Sequence, residues 1–281
     1  MRSLHDVPAP AKLNLFLHVL GRREDGMHLL QSAFMLVDWC DTLHFELRDG
    51  GGLSREDLAT PLPADDLVLK AARALQAASG TRLGAHIAIE KRIPAEAGMG
   101  GGSSDAATTL LALNRLWQTN FNRAQLAAIG EKIGADVPFF VGGHNAWVEG
   151  TGEKLTPIEL PAARFAVAKP PAGVSTAAIF GHPQLKRTSP AAIISGFAAN
   201  PFAFGANDLQ PVAQALCPDV AKAFQWLGSQ GFQGRMTGSG SAVFAPMAPD
   251  RHLDQAPAGW AVRECSNMVA HPLAGWASSD D

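Results

Sequence analysis

Between Pro94 and Asp105 the chain reads Pro-Ala-Glu-Ala-Gly-Met-Gly-Gly-Gly-Ser-Ser-Asp, with glycine at four of the five positions 98–102. Glycine tolerates positive φ and lets a ligand come up against the main chain. Directly afterwards Ala106, Leu110, Leu113 and Trp117 fall on one face at helical spacing. A helix starting there adds unpaired N–H groups and the positive end of its dipole. Loop and helix start together make a place for an anion such as phosphate. The bland alternative is a glycine-rich turn capped by Ser103 or Ser104, but a capped turn does not need so much glycine. Neither common nucleotide signature fits. No lysine completes a Walker A loop, and Ser103 fills the last glycine position of the dinucleotide fingerprint.

The chain has 281 residues, enough for one large domain or two ordinary ones. It is 47% hydrophobic and 17% charged, so it can build a substantial core. A net charge of −3 without a basic stripe argues against a nucleic-acid partner. Cys40, Cys217 and Cys265 are scattered and odd in number, which suits a reducing compartment better than a disulfide framework. The start of the chain lacks the apolar core of a signal peptide, and no apolar run is long enough to span a membrane. A cytoplasmic protein without a membrane partner is the expectation. The histidines 5, 18, 44, 86, 144, 182, 252 and 271 show no metal spacing.

Alternation predicts a half-buried strand over 11–19, with Leu13, Leu15, Leu17 and Val19 inward and Lys12, Asn14, Phe16 and His18 on the other face. Lys12 and Asn14 then reach the same space. Further strands are expected at 41–47, 86–93, 146–149, 165–168 and 242–245. Helices are expected at 68–77, at 126–133 with Gly134 as its C-cap, and at 220–227. Residues 48–63 read as a loop and 150–152 as a turn. Pro138 biases Val137 away from helix, leaving Asp136 in a connection. A domain boundary fits near 155–162, dividing the chain into 1–157 and 158–281. Residues 234–241 form a second glycine-hydroxyl turn, Gly-Arg-Met-Thr-Gly-Ser-Gly-Ser.

Phosphoryl transfer needs a phosphate cradle, positive charge near the γ-phosphate and a group that takes or orients the acceptor's proton. The loop supplies the first, Lys12 is a candidate for the second and Asp136 for the third. Alone, Lys12 reads as a solvated strand residue and Asp136 as a turn former. Each gains weight from the other.

Pro10 to Leu15, the loop Pro94 to Ser104, Gly134 to Phe140 and Met236 to Ser241 together resemble the superfamily of galactokinase, homoserine kinase, mevalonate kinase and phosphomevalonate kinase. Gly21 to Gln31, Ala135 to Phe140 and Asn207-Asp208-Leu209 with Pro211-Val212 are similar to its branch acting on a cytidine-diphosphate-linked methylerythritol. That resemblance implies an α+β fold of two domains. The N-terminal one would be ribosomal protein S5-like, the C-terminal one ferredoxin-like, with the active site in the cleft between them. It implies ATP with Mg²⁺, bound by Pro94, Ala95, Glu96, Ala97, Gly98, Met99, Gly100, Gly101, Gly102, Ser103 and Ser104, together with Thr237, Gly238 and Ser239. Asp136 would be the base and Lys12 its charged partner. Asn14, Met27, His28 and Phe180 would hold a small-molecule acceptor bearing a cytidine diphosphate group, with Phe180 stacked on the cytosine. The protein ligand of Mg²⁺ stays open, with Ser104 a candidate.

Four positions depart from the family's pattern. Met27 stands where Tyr is usual, Glu96 where small residues are usual, Asp66 where Asn lies near the adenine, and Trp39-Cys40 replaces Tyr-Gly. Glu96 should face solvent, because a carboxylate turned toward phosphates would repel them. Two other readings compete. One keeps the kinase and changes the acceptor to homoserine, mevalonate or a sugar; the segment 22–31 and Phe180 oppose it. The other is a non-catalytic S5-like scaffold for RNA or protein, opposed by the joint presence of Lys12, Asp136 and the intact loop.

Overall fold

Two long strands open the structure, a computed structural model in which residues 1–278 are described. β1 (Ser3–Arg22) and β2 (His28–Arg48) pair antiparallel almost end to end. Then come β3 (Leu53–Asp57), α1 (Leu67–Ser79), β4 (Gly84–Glu90), α2 (Gly101–Leu116), α3 (Arg123–Glu131), α4 (Val137–Gly142), β5 (Ala146–Glu149) and β6 (Lys154–Pro157). A second run holds β7 (Arg164–Lys169), α5 (Thr176–Gly181), α6 (Ile194–Ala198), α7 (Gln210–Leu216), α8 (Pro218–Ser229), β8 (Arg235–Met236), β9 (Val243–Met247) and β10 (Ala261–Ser266). The first six strands form one sheet, in the order β3-β4-β2-β5-β6 with β1 paired along β2; the last four form another, β10-β7-β9-β8. Helices and strands mixed in this way make an α+β fold. Among the described residues no helix is long and apolar enough to cross a membrane.

Three apolar clusters hold these layers. Val7, Phe45 and Ile87 of the first sheet meet Leu110, Leu126 and Phe139 of the helices. Leu13, Leu15 and Met35 meet Val167 and Phe244 of the second sheet. Ile179, Val220 and Leu227 pack beneath the second sheet with Leu17 and Val19. The chain's end crosses back: Asn267 bridges to Val37, Ala270 bridges to His144, and Leu273 joins the helix-side core.

β1 is therefore not the half-buried strand that its alternation suggests. It is buried on both faces from Ala9 to Leu17, because helices cover one side and the second sheet the other. Its register also shifts between Pro10 and Ala11 and between Asn14 and Leu17. A shift of one residue exchanges the faces. Phe16 consequently packs with Leu13 and Leu15, while Leu17 and Val19 enter the cluster beneath the second sheet. The edge of β1 is covered as well. Lys12 N–H donates to Met99 O at 3.0 Å, Asn14 N–H to Thr237 Oγ1 at 2.9 Å and Leu17 N–H to Ala206 O at 2.9 Å. An edge strand left bare is open to unwanted pairing; here both glycine loops dock on it.

Other expectations need correction. The expected strand 41–47 is the end of the much longer β2. The expected loop 48–63 contains β3, which pairs in parallel with β4. α3 stops at Glu131 with Lys132 as its C-cap, two residues short of Gly134. Val137 is helical after all: Pro138 sits in the first turn of α4, where its missing N–H has no intrahelical partner to lose.

Candidate active site

Gly100 is the N-cap of α2 at φ +71°, and no side chain caps the helix. Ser103 and Ser104 lie inside the first turn, so the capped-turn alternative fails. Gly98 also has φ +71°, and a Cβ there would stand 2.2 Å from Thr237 O. Real Cβ atoms do not approach a carbonyl so closely, so the two glycine loops touch backbone to backbone. Ser241 N–H donates to Glu96 O at 2.9 Å and Ala242 N–H to Ala97 O at 3.2 Å, joining the loops further.

A cavity of about 860 Å³ opens above this cradle. Every residue from Pro94 to Ser103 lines it, with Asp66, Leu67 and Val68 at the start of α1 and Val174 to Ala177 opposite. Unpaired N–H groups, a helix start and an apolar flank are what a nucleotide triphosphate requires. A smaller cavity of about 240 Å³ lies alongside, lined by Lys12, Asn14, Phe34, Asp136, Phe180 and Gly238 among others. The two share Gly98, Gly100, Thr176 and Ser239, so they adjoin across the loop.

Asp136 occupies the N-cap position of α4, yet its side chain accepts no capping hydrogen bond. Its carboxylate instead lies 3.5 Å from Lys12 Nζ. The Lys12 side chain is 5% exposed and that of Asp136 30%, so the ammonium is fixed and the carboxylate is open. Lys12 Nζ also donates to Asn14 Oδ1 at 2.5 Å and stands 4.6 Å above the Phe34 ring. Asn14 is held in turn by Ser32, whose Oγ accepts from Asn14 Nδ2 at 3.0 Å and donates to Phe16 O. Burial pushes the Lys12 ammonium below the ordinary lysine range, with Asp136 opposing the shift.

His28 and Phe180 meet at 4.8 Å between ring centroids, tilted by 34°. Arg187 Nε donates to His28 Nε2 at 3.2 Å, and its Nη2 donates to Phe180 O at 2.8 Å and His182 O at 3.0 Å. Burial lowers the His28 pKa, and Arg187 and Arg22 lower it further. The ring is thus a neutral acceptor toward Arg187.

Not every expected residue reaches a cavity. Phe180 lines the smaller one, but Met27 and His28 line neither, and Met27 is 52% exposed. Thr237 is buried and ties Asn14 to Gly98 rather than facing either cavity. Ser104 is buried too, and its Oγ has no hydrogen-bond partner among the described residues. Asp66 caps α1 through Leu69 N–H at 3.1 Å and pairs with Arg55 at 2.7 Å, so its charge is already compensated. Glu96 is exposed, but it also lines the larger cavity rather than pointing away from it, with its carboxylate against Gly173. Arg187, Ser32 and Thr176 were not anticipated. Arg187 stands beside Lys186, a pair that reads as a solvated loop. Thr176 Oγ1 and Ser239 Oγ are hydrogen-bonded at 2.6 Å where the two cavities meet.

The chain as a whole is similar to known proteins. Residues 66–144 match the GHMP kinases N terminal domain and residues 191–265 the GHMP kinases C terminal domain. A 4-diphosphocytidyl-2-C-methyl-D-erythritol kinase of Albidiferax ferrireducens is 66% identical over 280 residues, covering 100% of this chain and 98% of the relative. One of Variovorax paradoxus is 63% identical, covering 99% and 100%. The crystal structure of a 4-(cytidine 5'-diphospho)-2C-methyl-D-erythritol kinase superposes with a TM-score of 0.74 at 34% identity, over 86% of this chain and 89% of that one. Homoserine kinase from Cytophaga hutchinsonii shares the fold at 16% identity and a TM-score of 0.68. The chain belongs to the GHMP kinase family and, within it, to the 4-diphosphocytidyl-2-C-methyl-D-erythritol kinases.

Proposed function

We propose that this chain transfers the γ-phosphoryl group of ATP to the 2-hydroxyl of 4-diphosphocytidyl-2-C-methyl-D-erythritol, giving the 2-phosphate and ADP, in the non-mevalonate route to isoprenoid precursors. The observation that carries the reading is the pair of cavities adjoining at Gly98 and Gly100, with Lys12 and Asp136 on the smaller side. ATP lies in the larger cavity with its phosphates on the N–H groups of residues 98–103. The acceptor lies in the smaller one. Asp136 accepts the hydroxyl proton as the new O–P bond forms and the bond to the β-phosphate oxygen breaks. Lys12, 3.5 Å from the Asp136 carboxylate, stabilises charge on the moving phosphoryl group. Asn14 orients the hydroxyl.

Phe180 stacks on the cytosine, and His28, fixed by Arg187, closes that wall. Met27 offers a thioether to the base in place of a phenol. For Mg²⁺, no three His, Cys, Asp or Glu side chains converge among the described residues. That fits an ion held mainly by water and phosphate oxygens. Ser104, whose buried hydroxyl has no hydrogen-bond partner among the described residues, would hold it, and the ion would supply positive charge to the phosphates. In this reading residues 1–157 are the ribosomal protein S5-like kinase domain and residues 158–281 the ferredoxin-like domain. A reducing cytoplasm suits the three free cysteines.

A coupled ADP-release assay with Mg-ATP tests the proposal by comparing the cytidyl-linked acceptor with homoserine, mevalonate and galactose. Release only with the first is the expected result. Release with another acceptor keeps the kinase and overturns the substrate.

A further inference from the structure

Behind the second glycine loop lies a cavity of about 700 Å³ that the proposed reaction does not use. None of its lining residues lines either cavity of the candidate active site. Asn207 and Gln210 line it and hold the loop from this side. Asn207 Nδ2 donates to Met236 O and Gly238 O, both at 2.8 Å, and Gln210 Oε1 accepts from Met236 N–H at 3.2 Å. The back of the loop is thus the cavity's floor.

The charge on its wall is one-sided. Arg235 of β8 lines the cavity, and no Asp or Glu does. Arg235 Nη1 donates to Leu15 O and, at 2.6 Å, to Phe204 O, and its Nη2 donates to Ala203 O at 3.3 Å. Those bonds use three of its N–H groups. The Nε–H and the second Nη2 hydrogen have no protein partner among the described residues. Nε and Nη2 share one edge of the planar guanidinium, where two parallel N–H groups can grip two oxygens of one anion. Arg55 and Arg164, also drawn in from water, each have a carboxylate: Asp57 and Asp66 for the first, Glu264 for the second. Arg235 has none among the described residues. Burial pushes its guanidinium below the ordinary arginine range, and no carboxylate opposes the shift. The group stays charged all the same.

A second cation stands at the rim. Arg251 Cζ lies 5.0 Å from the centre of the Phe232 ring, and its Nη2 would lie 3.8 Å from a Cβ on Gly231. Phe232 and Gly231 both line the cavity. Arg251 donates to Gln230 O and pairs with no carboxylate among the described residues. Two guanidinium groups without a counter-charge suit a dianion better than a single carboxylate. A phosphate monoester is mainly a dianion at neutral pH. The remaining wall is apolar, with Phe202, Phe232 and Phe244. The volume is that of a small-molecule site.

We infer that this cavity binds a small phosphate monoester with an apolar body. Arg235 Nε and Nη2 hold the phosphate, with Arg251 beside it, and the body lies against Phe202 and Phe232. No bond forms or breaks. The inference stands apart from the proposed reaction, because no residue of that reaction lines this cavity.

Amide chemical-shift mapping with phenyl phosphate, in excess Mg-ATP without acceptor, tests it. The expected result is saturable shifts at Gly205, Gly231, Gln233 and Gly234, which all line the cavity. Benzoate should bind more weakly and phenol not saturably. Shifts confined to Gly98–Gly102 would mean that the probe reads only the nucleotide cradle, and would overturn the inference. So would phenol or benzoate binding as tightly as phenyl phosphate. The location of the shifts decides whether or not ATP itself binds. Arg235→Gln should abolish the saturable shifts, but Arg235 also holds three carbonyl groups. Two exposed positions therefore serve as well. Gln233→Glu puts a carboxylate among the lining residues, and Arg251→Ala removes the rim cation. Each should weaken phenyl phosphate by about threefold to fivefold, the worth of one surface charge. Unchanged affinity in both variants overturns the assignment of an anion to this cavity.

Discussion

The larger and the smaller cavity are made of different material. The first is main chain: ten consecutive residues, four of them glycine, bent so that N–H groups and a helix start face one cavity. The second is side chains brought from distant places. Lys12 and Asn14 come from β1, Asp136 from the start of α4, Phe180 from α5 and Gly238 from the second loop. A main-chain site is tolerant of side-chain identity but not of backbone strain. A side-chain site is the reverse. Gly98 and Gly100 are where the two kinds of construction meet.

The sharpest way to test that division is to remove one function from the side-chain half. Asp136→Asn keeps the size of the group and deletes its basicity. Turnover should fall by about 10²–10⁴-fold, the usual worth of a positioned base. ATP affinity should change little, because Asp136 lines only the smaller cavity. A loss of ATP binding as large as the loss of turnover would merge the two halves into one. The matching test on the main-chain half is Gly98→Ala. An alanine there must adopt φ near +71° and would drive its Cβ into Thr237 O. Strain of this kind costs about 1–3 kcal/mol, so ATP should bind about tenfold or more weakly, with the fold destabilised too. Gly21→Ala is the control, since nothing lies within 4 Å of a Cβ there. Equal effects at both glycines would remove the special role of the loop contact.

The same division explains what the sequence made legible. The cradle is visible in one stretch of residues because glycine run, helix onset and spacing are all local. The pairing of Lys12 with Asp136 is not local. Each residue alone has an ordinary explanation, and only resemblance joined them. Strand faces failed where the register shifted: nothing in Pro10 to Leu17 announces that two bulges will send Phe16 to the same core as Leu13. Pro138 misled for a related reason. Its bias against helix in the preceding residue is real, but the first turn of α4 tolerates it. Arg187 was invisible because its role is to bind carbonyls and a histidine ring that lie apart until the chain folds.

Arg187 also supplies the smallest effect worth measuring. Its guanidinium ties His28 on β2 to the end of α5, and with it the wall beside Phe180. It lines neither cavity. Arg187→Ala should therefore leave the chemistry and the ATP site alone and loosen only the acceptor wall. Losing a few hydrogen bonds at a half-buried position is worth about 1 kcal/mol net, which predicts a rise of about fivefold in KM for the cytidyl acceptor. The KM for ATP should stay level. Arg187→Lys should not restore the wall, because an ammonium cannot present the planar fork that holds His28, Phe180 and His182 together. An equal rise in both KM values would mean that the wall beside Phe180 and the glycine cradle move as one body, and the two cavities would then differ in material but not in mechanics.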